Sequence, residues 1–184
     1  FLQQKLKVKK GKVVLISKNN QIFSTSKDYN DLSAENLKLL SSPFDYSIEK
    51  GSVIGEHDGA HFFTIGQRKG LSIGGTKEPL FVIGTDVVKN IVYVGEGKNH
   101  PGLYRKVLFV LKRNFHLVRE DYEYLDSKLF DTRIRYRQPL QKSKLIFTET
   151  GVYFFFDKFQ SSITKGQFVV WYNKNELLGS GVID

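Results

Sequence analysis

The sequence predicts a mainly β protein with one short helix, and three observations point there. Aromatic residues make up 14% of the chain, with 15 Phe and 9 Tyr. Together with the abundant Val and Ile, they suit the half-buried pleated surface of a strand. Short apolar runs recur between turn-forming residues, a spacing that fits a barrel or a sandwich. Only one stretch carries the chemistry of a helix start and stop.

The elements follow in order. Val13 to Ile16 forms the first apolar run, after the basic, alternating stretch Lys5 to Lys12. That stretch reads equally as a solvated edge or a nucleic-acid stripe. Ser17 to Asn30 is polar and without period, so it reads as a surface loop. Ser33 can cap a helix, with Leu32 and Leu37 at hydrophobic-staple positions and Leu40 extending the apolar face. Ser41, Ser42 and Pro43 end it. Leu80 to Ile83 and Ile91 to Val94 flank Lys89-Asn90 as a hairpin. Gly97 to Gly102 gathers turn residues and marks a boundary. Strands are then expected at Val107 to Leu111, Thr132 to Arg137, Lys144 to Phe147, Val152 to Phe156, Phe168 to Tyr172 and Leu177 to Ile183. Glu149 to Gly151 and Asn173 to Asn175 are turns. Gly179 and Gly181 fit a tight bend or bulge in the last strand.

Composition narrows the function. There are 28 Lys+Arg against 19 Asp+Glu, a formal net charge of +9. Such an excess draws polyanions, nucleic acid first and an acidic membrane surface second. The chain has no Cys and no Met. Thiol nucleophiles, disulfides and zinc-thiolate sites are therefore excluded within it, and residue 1 is expected not to be a native start. No apolar run approaches the ~18 residues of a membrane helix, and no targeting segment is visible. A cytoplasmic protein with no membrane partner is expected.

Three stretches bear on chemistry. Between Gly66 and Gly70 lie Gln67, Arg68 and Lys69, which could offer a carboxamide, two cations and backbone amides to a phosphate or a base; a structural turn is the alternative. Arg133, Arg135 and Arg137 would share one face of a strand, about 6–7 Å apart. They could neutralise successive phosphates, or form a solvated sheet face. His57 and His61, beside Glu56 and Asp58, invite a metal reading. The stretch is too glycine-rich for a helix, and along a strand the rings would be about 13 Å apart. Ordinary hydrogen-bonding histidines are the simpler reading. No nucleophile elbow, carboxylate pair, Walker loop or dinucleotide fingerprint occurs.

Gly55 to Gly75, and above all Thr64 to Leu71 with its Gly-Gln-Arg-Lys-Gly-Leu core, resembles the bacterial tRNA-specific 2-thiouridylases. Phe1-Leu2, Val92 to Pro101, Arg135 to Gln138, Thr164 to Gln167 and Leu178 to Gly181 match the same family in the same order, over nearly the whole chain. The resemblance implies a small central β domain at residues 1–100 and a C-terminal antiparallel β-barrel at 101–184. It implies a parent enzyme that replaces O2 of the wobble uridine of tRNA with sulfur, using ATP with Mg, a cysteine persulfide and a sulfur-donor protein. That chemistry would sit in an N-terminal PP-loop domain, with the family's second cysteine just upstream of Phe1. This chain would then hold no cofactor and no catalytic residue, and its partners would be tRNA and the PP-loop domain. The family's tRNA-contact positions map onto Arg135, Tyr136 and Gln167. Since adjacent strand residues face opposite ways, Arg135 and Tyr136 can both reach RNA only at a strand end, a bulge or a groove rim. Gln67, Arg68, Lys69, Arg133 and Arg137 are candidates for tRNA or interdomain contact. The 17–50 segment is longer than in many members, and the resemblance gives it no role. The alternatives are a barrel that docks a catalytic domain through the Gly66–Gly70 loop, and part of a tRNA methyltransferase.

Overall fold

The computed structural model describes residues 8–24, 27–118 and 129–184. The Phe1-Leu2 match and residues 5–7 of the Lys5 to Lys12 stretch lie outside the described residues. The chain divides into two compact units. The first comprises residues 8–24 and Pro43–Tyr104. The second comprises Lys27–Ser42 and the described part of Arg105–Asp184.

The first unit is built on a four-stranded sheet in the order β2-β1-β4-β3. Its strands are β1 (Gly11–Leu15), β2 (Ser52–His57), β3 (Leu80–Asp86) and β4 (Ile91–Glu96). β3 and β4 form the expected hairpin, while β1 runs parallel to β4. β4 is covered on both faces: Val13, Val82, Val92 and Val94 pack on one side, and Val14, Ile83, Ile91 and Tyr93 on the other. Burial on both faces explains its unbroken apolar run. Asn90 makes the hairpin possible. It takes a left-handed backbone (φ 56), accepts the Ala60 N–H at 2.9 Å and donates to the carbonyls of Lys9 and Lys10, each at 2.9 Å. β2 was not legible as a strand, because Gly55 interrupts a short Val-Ile pair. The loop reading of residues 17–30 holds only in part. Gln21–Phe23 form a 3-10 turn whose Ile22 and Phe23 pack under the sheet.

The second unit is a closed six-stranded barrel in the order β10-β5-β8-β7-β6-β9. Its strands are β5 (Tyr104–Leu117), β6 (Leu129–Arg133), β7 (Gln141–Phe147), β8 (Gly151–Ser161), β9 (Phe168–Asn173) and β10 (Glu176–Ile183). Period-two alternation sorts β5 and β9. Leu108, Val110, Val169 and Trp171 fill the barrel with Phe154 and Phe156. The Trp171 ring stacks on Phe115 at 4.7 Å. Gly179 lets the wall close: a Cβ there would lie 2.3 Å from the Trp171 ring and 2.4 Å from the His116 carbonyl. The β9–β10 register shifts beside it, as the paired glycines predicted.

Helix α1 (Ala34–Ser41) lies against the outside of this barrel. Ser33 caps it, accepting the Asn36 N–H at 3.4 Å. Leu37 and Leu40 are buried against Val107 and Tyr153. Tyr29 and Phe155 close around the Lys106 ammonium at 5.4 and 5.7 Å. Among the described residues, no helix is long and apolar enough to cross a membrane.

Candidate nucleic-acid interface

One end of the barrel gathers the chemistry. β6 pairs with β9 so that Arg133 faces Val170. The chain leaving β6 at Arg133 therefore emerges at the same end where β9 begins, one residue after Gln167.

The expected arginine row does not exist. β6 ends at Arg133, and Ile134 is buried in the barrel core. Arg135 to Gln138 form a turn closed by the Gln138 N–H donating to the Arg135 carbonyl at 3.1 Å. Pro139 follows, and its missing N–H could not have continued an interior strand. The turn gives each arginine a different environment. Arg135 is half-buried and donates to the carbonyls of Ser161, at 3.2 Å, and Ser162. Burial draws its pKa below the ordinary guanidinium value, without approaching neutrality at physiological pH. With two N–H groups tied to carbonyls, it clamps the 161–164 loop and keeps further donors for a ligand.

Arg133 is a spacer between two rings. Its guanidinium carbon sits 5.2 Å from the Tyr172 ring centre and 6.0 Å from that of Tyr136. It donates to the Tyr136 carbonyl at 3.1 Å and the Tyr172 hydroxyl at 3.3 Å. Tyr136 itself is 89% exposed. An aromatic ring held out in water on a braced turn is a stacking surface. Arg137 is exposed beside it. A strand end is thus where Arg135 and Tyr136 stand.

Gln167 lies at the mouth of β9 and accepts the Ile183 N–H through its carbonyl at 2.8 Å. Its Oε1 is buried without a hydrogen-bond partner, an acceptor that costs free energy until a donor or water reaches it. The next residue, Phe168, is 60% exposed. Phe168 and Tyr172 were missed from the sequence as surface residues. The signal was present: Phe168, Val170 and Tyr172 alternate with the buried Val169 and Trp171.

The Gly66–Gly70 loop belongs to the first unit. Its two glycines take φ 86 and 88, where side chains are strained. The Gln67 carboxamide turns inward: Oε1 accepts the Thr64 N–H at 3.1 Å and Nε2 donates to the Lys69 carbonyl at 2.8 Å. The loop is tied to β3 by Gly66 N–H to Val82 carbonyl at 2.7 Å and Val82 N–H to Gln67 carbonyl at 2.9 Å. Arg68 and Lys69 remain exposed. His57 and His61 form no shared site: His57 Nδ1 accepts the Gly59 N–H at 2.9 Å, and the His61 ring leans on Phe62. Among the described residues, no group of three His, Cys, Asp or Glu could hold a metal. No PP-loop sequence occurs in the 184 residues.

These features define a cationic, aromatic-tipped β module, and comparison with known proteins gives its family. Residues 46–96 match the family described as tRNA methyl transferase PRC-barrel domain. Residues 108–183 match the aminomethyltransferase beta-barrel domain. The whole chain is 52% identical to a tRNA-specific 2-thiouridylase MnmA of Flavobacterium johnsoniae, of which it spans 47%. It is 53% identical to that of Christiangramia forsetii, again over 47% of the relative. Identity to the Karelsulcia muelleri protein of the same name is 46%, with 46% of the relative spanned. The chain belongs to the tRNA-specific 2-thiouridylase family and spans about half the length of these relatives.

Proposed function

We propose that this chain is the tRNA-holding part of an enzyme that exchanges O2 of the wobble uridine for sulfur. The bond changes would be made by the remainder of that enzyme, with its ATP, Mg, persulfide cysteines and sulfur donor, in the cytoplasm. This chain has no cysteine to carry sulfur. By itself it binds and orients tRNA.

One observation carries the reading. At a single barrel end, Tyr136 is exposed and braced by Arg133, above a loop that Arg135 clamps. Exposed rings take up unpaired bases, and nearby cations take up phosphates. Arg135, Tyr136 and Gln167 are then the contact set, with Arg137 as a phosphate partner and Arg133 as the brace.

The test is tRNA binding by the 184-residue chain, measured by fluorescence anisotropy over a salt series. Affinity is expected to fall steeply with salt, and Tyr136→Ala is expected to weaken it about tenfold. A chain whose tRNA affinity ignores both salt and Tyr136→Ala does not perform this role. The methyltransferase alternative requires S-adenosylmethionine binding, which calorimetry on the same chain detects directly.

A further inference from the structure

A second feature, in the first unit, is independent of the barrel end. After the Gly66–Gly70 turn the chain runs from Leu71 to Lys77 without regular secondary structure. Within this stretch the side chain of Thr76 donates to the Glu78 carbonyl at 2.9 Å, and no backbone–backbone hydrogen bond is made to a described residue. Backbone amides left this way look for acceptors outside the chain. The stretch lines an open groove of about 640 Å³, with Arg68 and Lys77 among the lining residues.

Gly74 is the telling residue. A Cβ built on it meets nothing within 4 Å, and its φ is outside the left-handed region. Glycine costs backbone entropy, and here neither packing nor conformation within the chain calls for it. What a missing side chain does leave is room for another molecule to approach the backbone. Gly75 beside it is equally open, with φ +81.

The charges say what kind of molecule. Three lysines of this unit pair with acids: Lys10 with Asp58, Lys50 with Asp45 and Lys89 with Asp86. Arg68 and Lys77 pair with no described residue. The single acid of the groove, Glu78, has its carboxylate against Gly97. Bare amides, a glycine floor and two uncommitted cations suit an anionic backbone that lies close along the groove.

We infer that the groove over Gly74 and Gly75 binds a phosphodiester segment of RNA, giving the first unit its own phosphate grip. The inference rests on the reading of this chain as an RNA-holding module and extends it to a second site. Arg68 and Lys77 neutralise phosphates, and the backbone N–H groups of residues 71–77 donate to the phosphate oxygens.

The experiment uses the whole chain and labelled, unfractionated bacterial tRNA, with anisotropy over a salt series. Gly74→Val is expected to leave the melting temperature unchanged, because a Cβ at this position meets nothing within 4 Å, and to weaken binding about tenfold. Arg68→Ala with Lys77→Ala is expected to lower the salt slope by about 1.5 to 2, as two lost phosphate contacts should. Tyr136→Ala serves as the reference. If Tyr136→Ala weakens binding while Gly74→Val and the double variant keep wild-type affinity and slope, the groove is not an RNA site, and a protein contact is its use. If none of the variants changes binding, the RNA-holding reading fails as a whole.

Discussion

The turn at Arg135–Gln138 and the loop at Gly66–Gly70 look alike in sequence: each sets arginine, glutamine and glycine or proline side by side. In the folded chain they divide their side chains in opposite ways. At Gly66–Gly70 the glutamine is consumed holding the loop together, and the cations are free. At the barrel end an arginine is partly consumed, clamped to Ser161 and Ser162 carbonyls, and an aromatic ring is presented instead. The difference comes from what each turn passes over. Open carbonyls at 161 and 162 capture a guanidinium, whereas at Gly66–Gly70 the open groups are a local N–H and a local carbonyl, which a carboxamide satisfies from both ends.

Substitutions separate the two turns. The largest effect is expected at neither turn but in the barrel wall that supports the second. Gly179→Val drives a side chain into Trp171 and the His116 carbonyl and should cost about 3 kcal/mol, read as a lower denaturation midpoint. Arg135→Ala comes next. It leaves two carbonyls without their charged donor, a loss of about 2 kcal/mol, and should reduce tRNA affinity at the same time. Gln67→Ala is the matching change in the other loop. It removes two neutral hydrogen bonds at an exposed turn, about 1 kcal/mol, and should leave the salt slope of tRNA binding unaltered. If Gln67→Ala weakens tRNA binding equally at every salt concentration while stability is unchanged, the carboxamide is a ligand contact and the two turns do not differ in this way.

The two units should also differ in acid. Burial lowers the pKa of both His57 and His100, and both lie in the first unit. His100 Nε2 lies 3.0 Å from the Ile16 carbonyl while its Nδ1 accepts the Gly102 N–H at 3.2 Å, a pattern only the neutral ring satisfies. Folded pKa values below the unfolded value of about 6.5 mean that the unfolded chain takes up protons first. The stability is complete above that pH and drains away as pH falls through 6.5 towards the folded values. Thermal melts between pH 7.5 and 5.5 should therefore show the first unit softening, and His100→Gln should flatten the dependence. An unchanged profile in that variant would remove His100 from the account.

Much of the fold was legible because period-two patterns and turn residues are local. The β3–β4 hairpin, the Ser33 cap and the glycine bend in β10 all rest on chemistry within a few residues. The parallel β1–β4 pair was not legible, since it joins residues about 80 positions apart in sequence. The arginine stretch misled for a related reason. Period two continues through Arg137, but the burial of Ile134 and the carbonyls near residue 162 end the strand earlier, and neither lies in the stretch itself. Tyr136 was visible as a candidate; the Tyr172 ring that backs its brace, Arg133, comes from β9 and became apparent only once β6 and β9 were paired.

The most direct test of the central claim places a photo-crosslinking benzoylphenylalanine at position 136 in the 184-residue chain and irradiates it with tRNA. Tyr136 is already exposed and aromatic, so the replacement should be tolerated. A protein–tRNA crosslink is predicted at position 136, with none when the same group is placed at Glu149, on the β7–β8 turn at the other end of the barrel. Crosslinking from Glu149 but not from 136 would contradict the tRNA-holding role of this barrel end.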